Sequence, residues 1–300
     1  RHRRGRPSAP PRVRRLARQL GVDLGRIAAA DGEHLTEEDV HSHVRDALAR
    51  AAAAHGEAPD LPDFSAWGET ERVPVDAVRR ATAETVHDSW RRIPQVTHFE
   101  SASIGALDEF RERHGDDGAR VSLTAVLATL SARALMRFPR CNASYDVARG
   151  ELVLKRFVHV GVALDTERGL FVPVLRDVHD KGLRQVTEEL EELVGRARSA
   201  KFGPEELAGA TFTISNVGSI GGEHFTPIVV WPQVAILGIG RAGSRLVRAD
   251  SGVADDTRLP LSLSYDHRVV DGADAARFTG WLKAAIEDPM TMLLDRGSAR

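Results

Sequence analysis

His267 and Asp271 are the residues of this 300-residue chain best suited by type and spacing to do chemistry. Histidine is the side chain whose ordinary pKa lets it take and return a proton near neutral pH. A carboxylate four residues later, at the start of a helix, is one way to hold such an imidazole. Both lie in LPLSLSYDHRVVDG, residues 259–272. Leu259, Leu261, Leu263 and Tyr265 alternate with Ser262, Ser264 and Asp266, a period of two that predicts a half-buried strand. His267 keeps the odd parity, so the pattern aims it inward at the strand's end. From Asp271 and Gly272 a helix is predicted, with Ala275, Phe278, Leu282, Ala285 and Ile286 on one face. The same pattern also fits a core histidine followed by an ordinary turn-and-cap pair.

Other motifs lead elsewhere. Gly238-Ile-Gly240-Arg-Ala-Gly243 matches GxGxxG, but turn and strand residues follow it where dinucleotide binding needs a helix, so a hairpin turn is predicted. NVGSIGG at 216–222 lacks the GK[ST] of a phosphate loop. The histidines form no HExxH, which argues against a zinc hydrolase. Cys141 has no local nucleophile signature and is expected to pack in the core.

The elements that must position His267 lie in a chain of alternating helices and strands. Helices are predicted at Ala77–Trp90, Ile104–His114, Val121–Phe138 and Leu183–Ala200, and strands at Gln95–Ser101, Thr211–Ser215, Val234–Ile239 and Leu259–Tyr265. Between Ala143 and Arg176, β-like runs are broken at ARGE and DTERG. The whole predicts an α/β fold, a mixed sheet with helices on one face, over residues 64–300. A small helical module is predicted ahead of it at 7–47. Its first helix uses Val13, Leu16, Ala17 and Leu20 and ends at Gly21; its second is Thr36–Ala47, with Thr36 and Asp39 as a capping box. Ala-rich residues 48–63 are read as a linker. Eight arginines and no acid in the first twenty residues suit a docking surface or merely solvated charge.

The net charge of −2 gives no reason to expect nucleic acid, and no run is long enough to cross a bilayer. A single cysteine excludes an internal disulfide and argues against a cysteine metal site; no metal is expected, and the chain suits a reducing, cytoplasmic location. It begins with Arg rather than Met, as a fragment or processed piece would.

Five stretches carry a resemblance: WRRIPQVTHFE, FPRCNASYD, GLFVPVLRDV, TFTISNVGSIGGEHFTPIV and LPLSLSYDHRVVDG. In that order they resemble the catalytic domain of the dihydrolipoyl acyltransferases of 2-oxo acid dehydrogenase complexes, over about residues 65–294. PRVRRLARQLGVDLGRI and LTEEDV resemble that family's peripheral subunit-binding domain. The resemblance implies a chloramphenicol acetyltransferase-like sandwich, trimers that build a larger hollow core, and a channel at the trimer interface. Coenzyme A would enter from one end as a substrate. Dihydrolipoamide would enter from the other, on a lipoyl domain not present in this chain. The family's DHRxxDG motif falls on Asp266 to Gly272, which implies His267 as general base and Asp271 as its supporting acid, with Arg268 a candidate partner for Asp271. Ser215 matches the family's serine, an oxyanion donor. Arg111, Ser122, Asp165, Asn216 and Gly240 resemble coenzyme A contacts.

The implied activity is acyl transfer between dihydrolipoamide and coenzyme A, most like the acetyl transfer of the pyruvate branch. Branched-chain acyl or succinyl transfer, or a non-catalytic core and tethering role, are the alternatives. Residues 7–47 would bind the decarboxylase, the dihydrolipoyl dehydrogenase, or both. In the small module, Glu33 and His34 stand where the family has Gly and Arg, which would weaken attraction to an acidic partner.

Overall fold

In a computed structural model of the chain, the structure describes residues 9–27, 34–54, 60–115, 121–166, 169–197, 202–249 and 252–289. The chain divides into two units, Arg1–Val73 and Pro74–Arg300.

In the first unit, α1 (Pro11–Gln19) has proline at its first position, where a missing N–H costs nothing. Val13 and Ala17 are buried, and Leu35 and Val40 join them in a small core. Leu20 does not: it caps the helix and stays exposed, because Gly21 at φ +66° turns the chain away. The predicted capping box forms, with Thr36 N–H donating to Asp39 Oδ2 at 2.8 Å and Asp39 N–H to Thr36 Oγ1 at 3.2 Å. The helix it starts, α2 (Glu37–Ala54), runs seven residues past Ala47 into the stretch read as linker. Its alanines are the strongest helix formers, so nothing local stops it. Glu33 and the rest of loop 28–33 lie outside the described residues, as do residues 7, 8 and 198–200 of the predicted elements.

The second unit opens with α3 (Ala77–Arg92), which Asp76 caps and which ends before Ile93-Pro94. Then come β1 (Gln95–Ser103), α4 (Gly105–Arg113), α5 (Leu123–Arg137), and the hairpin β2 (Ala143–Asp146) and β3 (Glu151–Leu154). β4 (Val160–Thr166), β5 (Gly169–Phe171), β6 (Val174–Leu175) and α6 (Leu183–Ala197) follow. Last are β7 (Phe212–Asn216), β8 (Ala235–Ile239), β9 (Gly243–Ala249), β10 (Gly252–Asp266) and α7 (Gly272–Glu287). The sheet order is β1-β10-β8-β7-β4-β5, with β6 also on β4 and β9 on β10. β4, β7 and β8 are parallel; β10 runs antiparallel to both β8 and β1. This is the expected mixed sheet. β9 returns directly onto β10, so GxGxxG is a strand end leading into a hairpin.

β10 is not half-buried. All eight residues from Leu259 to Asp266 are buried. Leu259, Leu261, Leu263 and Tyr265 meet Phe278, Leu282 and Ile286 of α7 in the main core. The other face is also covered: Ile236 packs with Ile93 and Val229, and the Phe225 ring presses on Gly238, where a Cβ would meet it at 2.7 Å. The serines there read as solvent-facing only because no local pattern foretells the covering segment. α5 is likewise buried on nearly every face, from Ala125 through Ala132.

Candidate active site

β10 ends at Asp266, and a turn carries His267 out of the sheet. Two main-chain bonds pin that turn: His267 N–H donates to Pro94 O at 3.1 Å, and Val270 N–H to Asp266 O at 3.0 Å. The Asp266 carboxylate, 3% exposed, accepts Arg268 Nη2 at 2.7 Å and Nε at 3.0 Å, and the Arg268 N–H at 3.0 Å. This fork-on-fork pair is strong and directional, and it holds the guanidinium pKa above its ordinary value. The Arg268 Cζ lies 5.1 Å from the Tyr145 ring centroid. The backbone of His267 is therefore rigid while its side chain is exposed, with the Tyr265 ring 5.9 Å away. Strand parity predicted an inward histidine; the turn releases it outward. Among the described residues neither ring nitrogen is hydrogen-bonded, so both are available to a ligand.

Asp271 does not pair with Arg268, whose carboxylate is Asp266. It caps α7, accepting the Asp274 N–H at 2.8 Å. That bond to the charged form, helped by Arg277 and Arg140, holds its carboxyl below the usual range. Asp271 therefore fixes where α7 starts and so where the turn ends.

Ser215 lies elsewhere. It stands opposite Gly238 of β8, and Gly238 stands opposite Ser262 of β10. His267 is five residues beyond Ser262, roughly 15 Å along the strand direction, and two strands across is about 10 Å more. In one chain the two residues sit at opposite ends of the sheet and cannot touch one reacting carbon. The Ser215 hydroxyl is half-buried and, like the imidazole, has no partner among the described residues.

Three of the five remaining candidates converge. Ser122 caps α5, its Oγ accepting from Ala125 N at 3.4 Å. Asn216 donates from Nδ2 to Thr124 Oγ1 at 3.0 Å and accepts the Gly218 N–H at 3.0 Å, tying the end of β7 to the start of α5. Ser122 and Asn216 line a groove of about 470 Å³ with Leu164, Leu190, Glu191 and Val194; Asp165 and Asn216 line its continuation. Hydroxyls, an amide and apolar walls suit a flexible arm with amide linkages, while Asp165 and Glu191 make it a poor seat for phosphates. Arg111 is outside the lining: its guanidinium is spent on Val121 O at 2.7 Å and Asp108 at 2.6 Å, tying Val121, beside Ser122, to α4. Gly240 is outside too. A Cβ there would fall 1.7 Å from Glu223 O, so it is a glycine for close backbone packing.

Thr124, Glu191 and Val194 were missed. Thr124 sits two residues past a legible helix cap; the α6 residues carried no signal, because their groove exists only once α6 lies beside β4. Burial pushes the Cys141 thiol up to about 12, which suits a packing role. No cluster that could hold a metal occurs among the described residues, and no helix there is long and apolar enough to cross a membrane.

Residues 68–294 match the family model of the 2-oxoacid dehydrogenases acyltransferase (catalytic domain), and residues 7–41 match that of the e3 binding domain. The chain is 42% identical over 300 residues to the dihydrolipoyllysine-residue acetyltransferase component of pyruvate dehydrogenase complex from Azotobacter vinelandii, covering 95% of this chain and 47% of that protein. The Pseudomonas aeruginosa component of the same name is 41% identical over 299 residues, covering 95% and 55%. The chain thus spans about half the length of these curated relatives. Among solved structures, the cubic core of the pyruvate dehydrogenase multienzyme complex superposes with a TM-score of 0.75 at 42% identity, over 79% of this chain and 100% of that one. The A. vinelandii dihydrolipoamide acetyltransferase does so equally, in a study of the roles of a serine, a histidine and an asparagine in its catalytic mechanism.

Proposed function

The chain belongs to the 2-oxoacid dehydrogenase acyltransferase family, and on that premise we propose that it transfers an acetyl group between dihydrolipoamide and coenzyme A. The observation that carries this reading is the placement of His267 and Ser215. Each is fixed by its backbone, each has its reactive atom unengaged, and the two are too far apart to serve one site within a chain. Ser215, His267 and Asp271 stand at the same spacings as the serine, histidine and asparagine studied in the A. vinelandii enzyme, with aspartate in the asparagine's place. Asparagine and aspartate cap helices about equally well, so the cap survives the change.

A site with both groups needs His267 of one copy facing Ser215 of the next, as in a trimer that builds a larger core. The groove beside Asn216 receives the pantetheine arm of coenzyme A. His267, as neutral imidazole, takes the proton of the attacking thiol, an effect typically worth about 10²–10⁴ in rate. The neighbour's Ser215 hydroxyl donates to the oxyanion formed at the acyl carbon, worth about 3 kcal/mol. Collapse expels the other thiol, which takes the proton back from His267. No acyl-enzyme forms. Residues 7–47 tether dihydrolipoyl dehydrogenase, consistent with the e3 binding match. Their arginine-rich first helix suits an acidic partner.

The test is acyl transfer to free dihydrolipoamide from acetyl-, isobutyryl- and succinyl-CoA, with His267→Ala beside the native chain. Preference for the acetyl donor and a loss of about 10³ in the variant are expected. No transfer from any donor, or an undiminished variant, would overturn the reading.

A further inference from the structure

The chain uses arginine for nearly all its cationic side chains; its only lysines are Lys155, Lys181, Lys201 and Lys283. Lys201 lies outside the described residues. Lys181 is bound to Glu189 at 2.6 Å and Lys283 to Glu100 at 3.3 Å. Lys155 differs. It lies between β3 and β4, half-buried, and has no carboxylate partner among the described residues. Its Nζ donates to two neutral acceptors, Ser144 Oγ at 2.8 Å and Asn142 O at 3.3 Å. Burial without a counter-charge disfavours the ammonium and lowers its pKa to about 8. Ser144 belongs to β2, whose next residue, Tyr145, carries the guanidinium of Arg268 over its ring.

We propose that Lys155 is a self-acylation site, whose amine takes the acyl group from an acyl thioester. The neutral amine attacks the thioester carbonyl. The N–C bond forms, the C–S bond breaks, and the proton lost from nitrogen goes to the departing thiolate. The products are an amide and a free thiol. The amide nitrogen keeps one N–H, so at most one of the two hydrogen bonds survives. The inference rests on the acyltransferase reading only for the source of the thioester.

At pH 7 an amine with a pKa near 8 is about 10% neutral, a few hundred times the fraction of an ordinary lysine. Part of that gain is lost because nucleophilicity falls with basicity. The expected advantage of Lys155 is about tenfold. The experiment incubates the full chain at about pH 7 with limiting acetyl-CoA and, in parallel, with S-acetylglutathione, and reads each lysine by peptide mass spectrometry. Labelling of Lys155 about tenfold ahead of Lys181 and Lys283, abolished as a preference in urea and lost in Lys155→Arg, is the expected result. Equal labelling of the three lysines with both thioesters, or a native Lys155 that stays unlabelled, would overturn the proposal. Transferase activity is read on the same samples. Absent transfer with Lys155 still labelled first would sink the proposed function alone, and full transfer without that preference would sink this inference alone.

Discussion

Mixing two inactive variants should restore activity. In Ser215→Ala the imidazole is intact, and in His267→Ala the serine is. Each variant alone should lose about 10²–10⁴ in kcat. Within one chain the residues are separated by about 15 Å along the sheet and about 10 Å across it, far beyond the reach of both to one thioester. If each site joins His267 of one copy to Ser215 of the next, a site is whole when a Ser215→Ala chain supplies the histidine and a His267→Ala chain the serine. Random assembly of equal amounts makes about one quarter of sites whole, whatever the ring size. The assay is acetyl transfer after co-expression, or after unfolding and refolding the two variants together, against each variant refolded alone. Recovery of about 25% of native kcat, with KM unchanged, is expected. No recovery in mixed oligomers of native size would refute the reasoning, because it would mean that both groups act from one chain.

Further predictions rest on single contacts. Cys141 should resist Ellman's reagent in the native chain at about pH 8 and react only on unfolding; fast stoichiometric labelling of folded protein would contradict its burial. Gly240→Ala should destabilise by about 3 kcal/mol or more in urea unfolding, since the added carbon meets backbone that cannot give way; a native-like midpoint would refute the packing. Arg268→Ala leaves the buried Asp266 carboxylate without its cation and should cost about 2 kcal/mol, a buried-pair value discounted because the guanidinium is one-third exposed. For Asp271, the folded carboxyl titrates below its ordinary value, so its contribution is present above that value and is lost as pH falls through the folded pKa. Asp271→Ala should therefore melt below the native chain at about pH 6 by a gap that narrows in acid, while Asp271→Asn, an uncharged cap, keeps a constant lead over Asp271→Ala. A gap that widens in acid would contradict the cap.

What the amino-acid order determined by itself was local. Strand alternation placed β10, the box of Thr36 and Asp39 started α2, Asp271 was legible as the first residue of a cap, and the absent helix after Gly243 ruled out a dinucleotide loop. These depend on neighbours within a few residues, and so does the motif around His267 that marked the family. What only the tertiary structure decided depends on partners distant in the chain. Parity aimed His267 inward, but parity ends where the ladder ends, and Asp266 with Pro94 turns the histidine out. Arg268 stands two residues from Asp266 and three from Asp271, both within reach by sequence, yet burial of Asp266 gave that carboxylate the greater need of a cation. Gly240 resembled a ligand contact until Glu223 lay against it. The resemblance implied a channel at a trimer interface for Ser215 and His267 without saying how one chain divides them; the register of β7, β8 and β10 puts them at opposite ends of the sheet. Sheet register is a long-range property set by which strands pair and in which direction, and no local run of residues carries it.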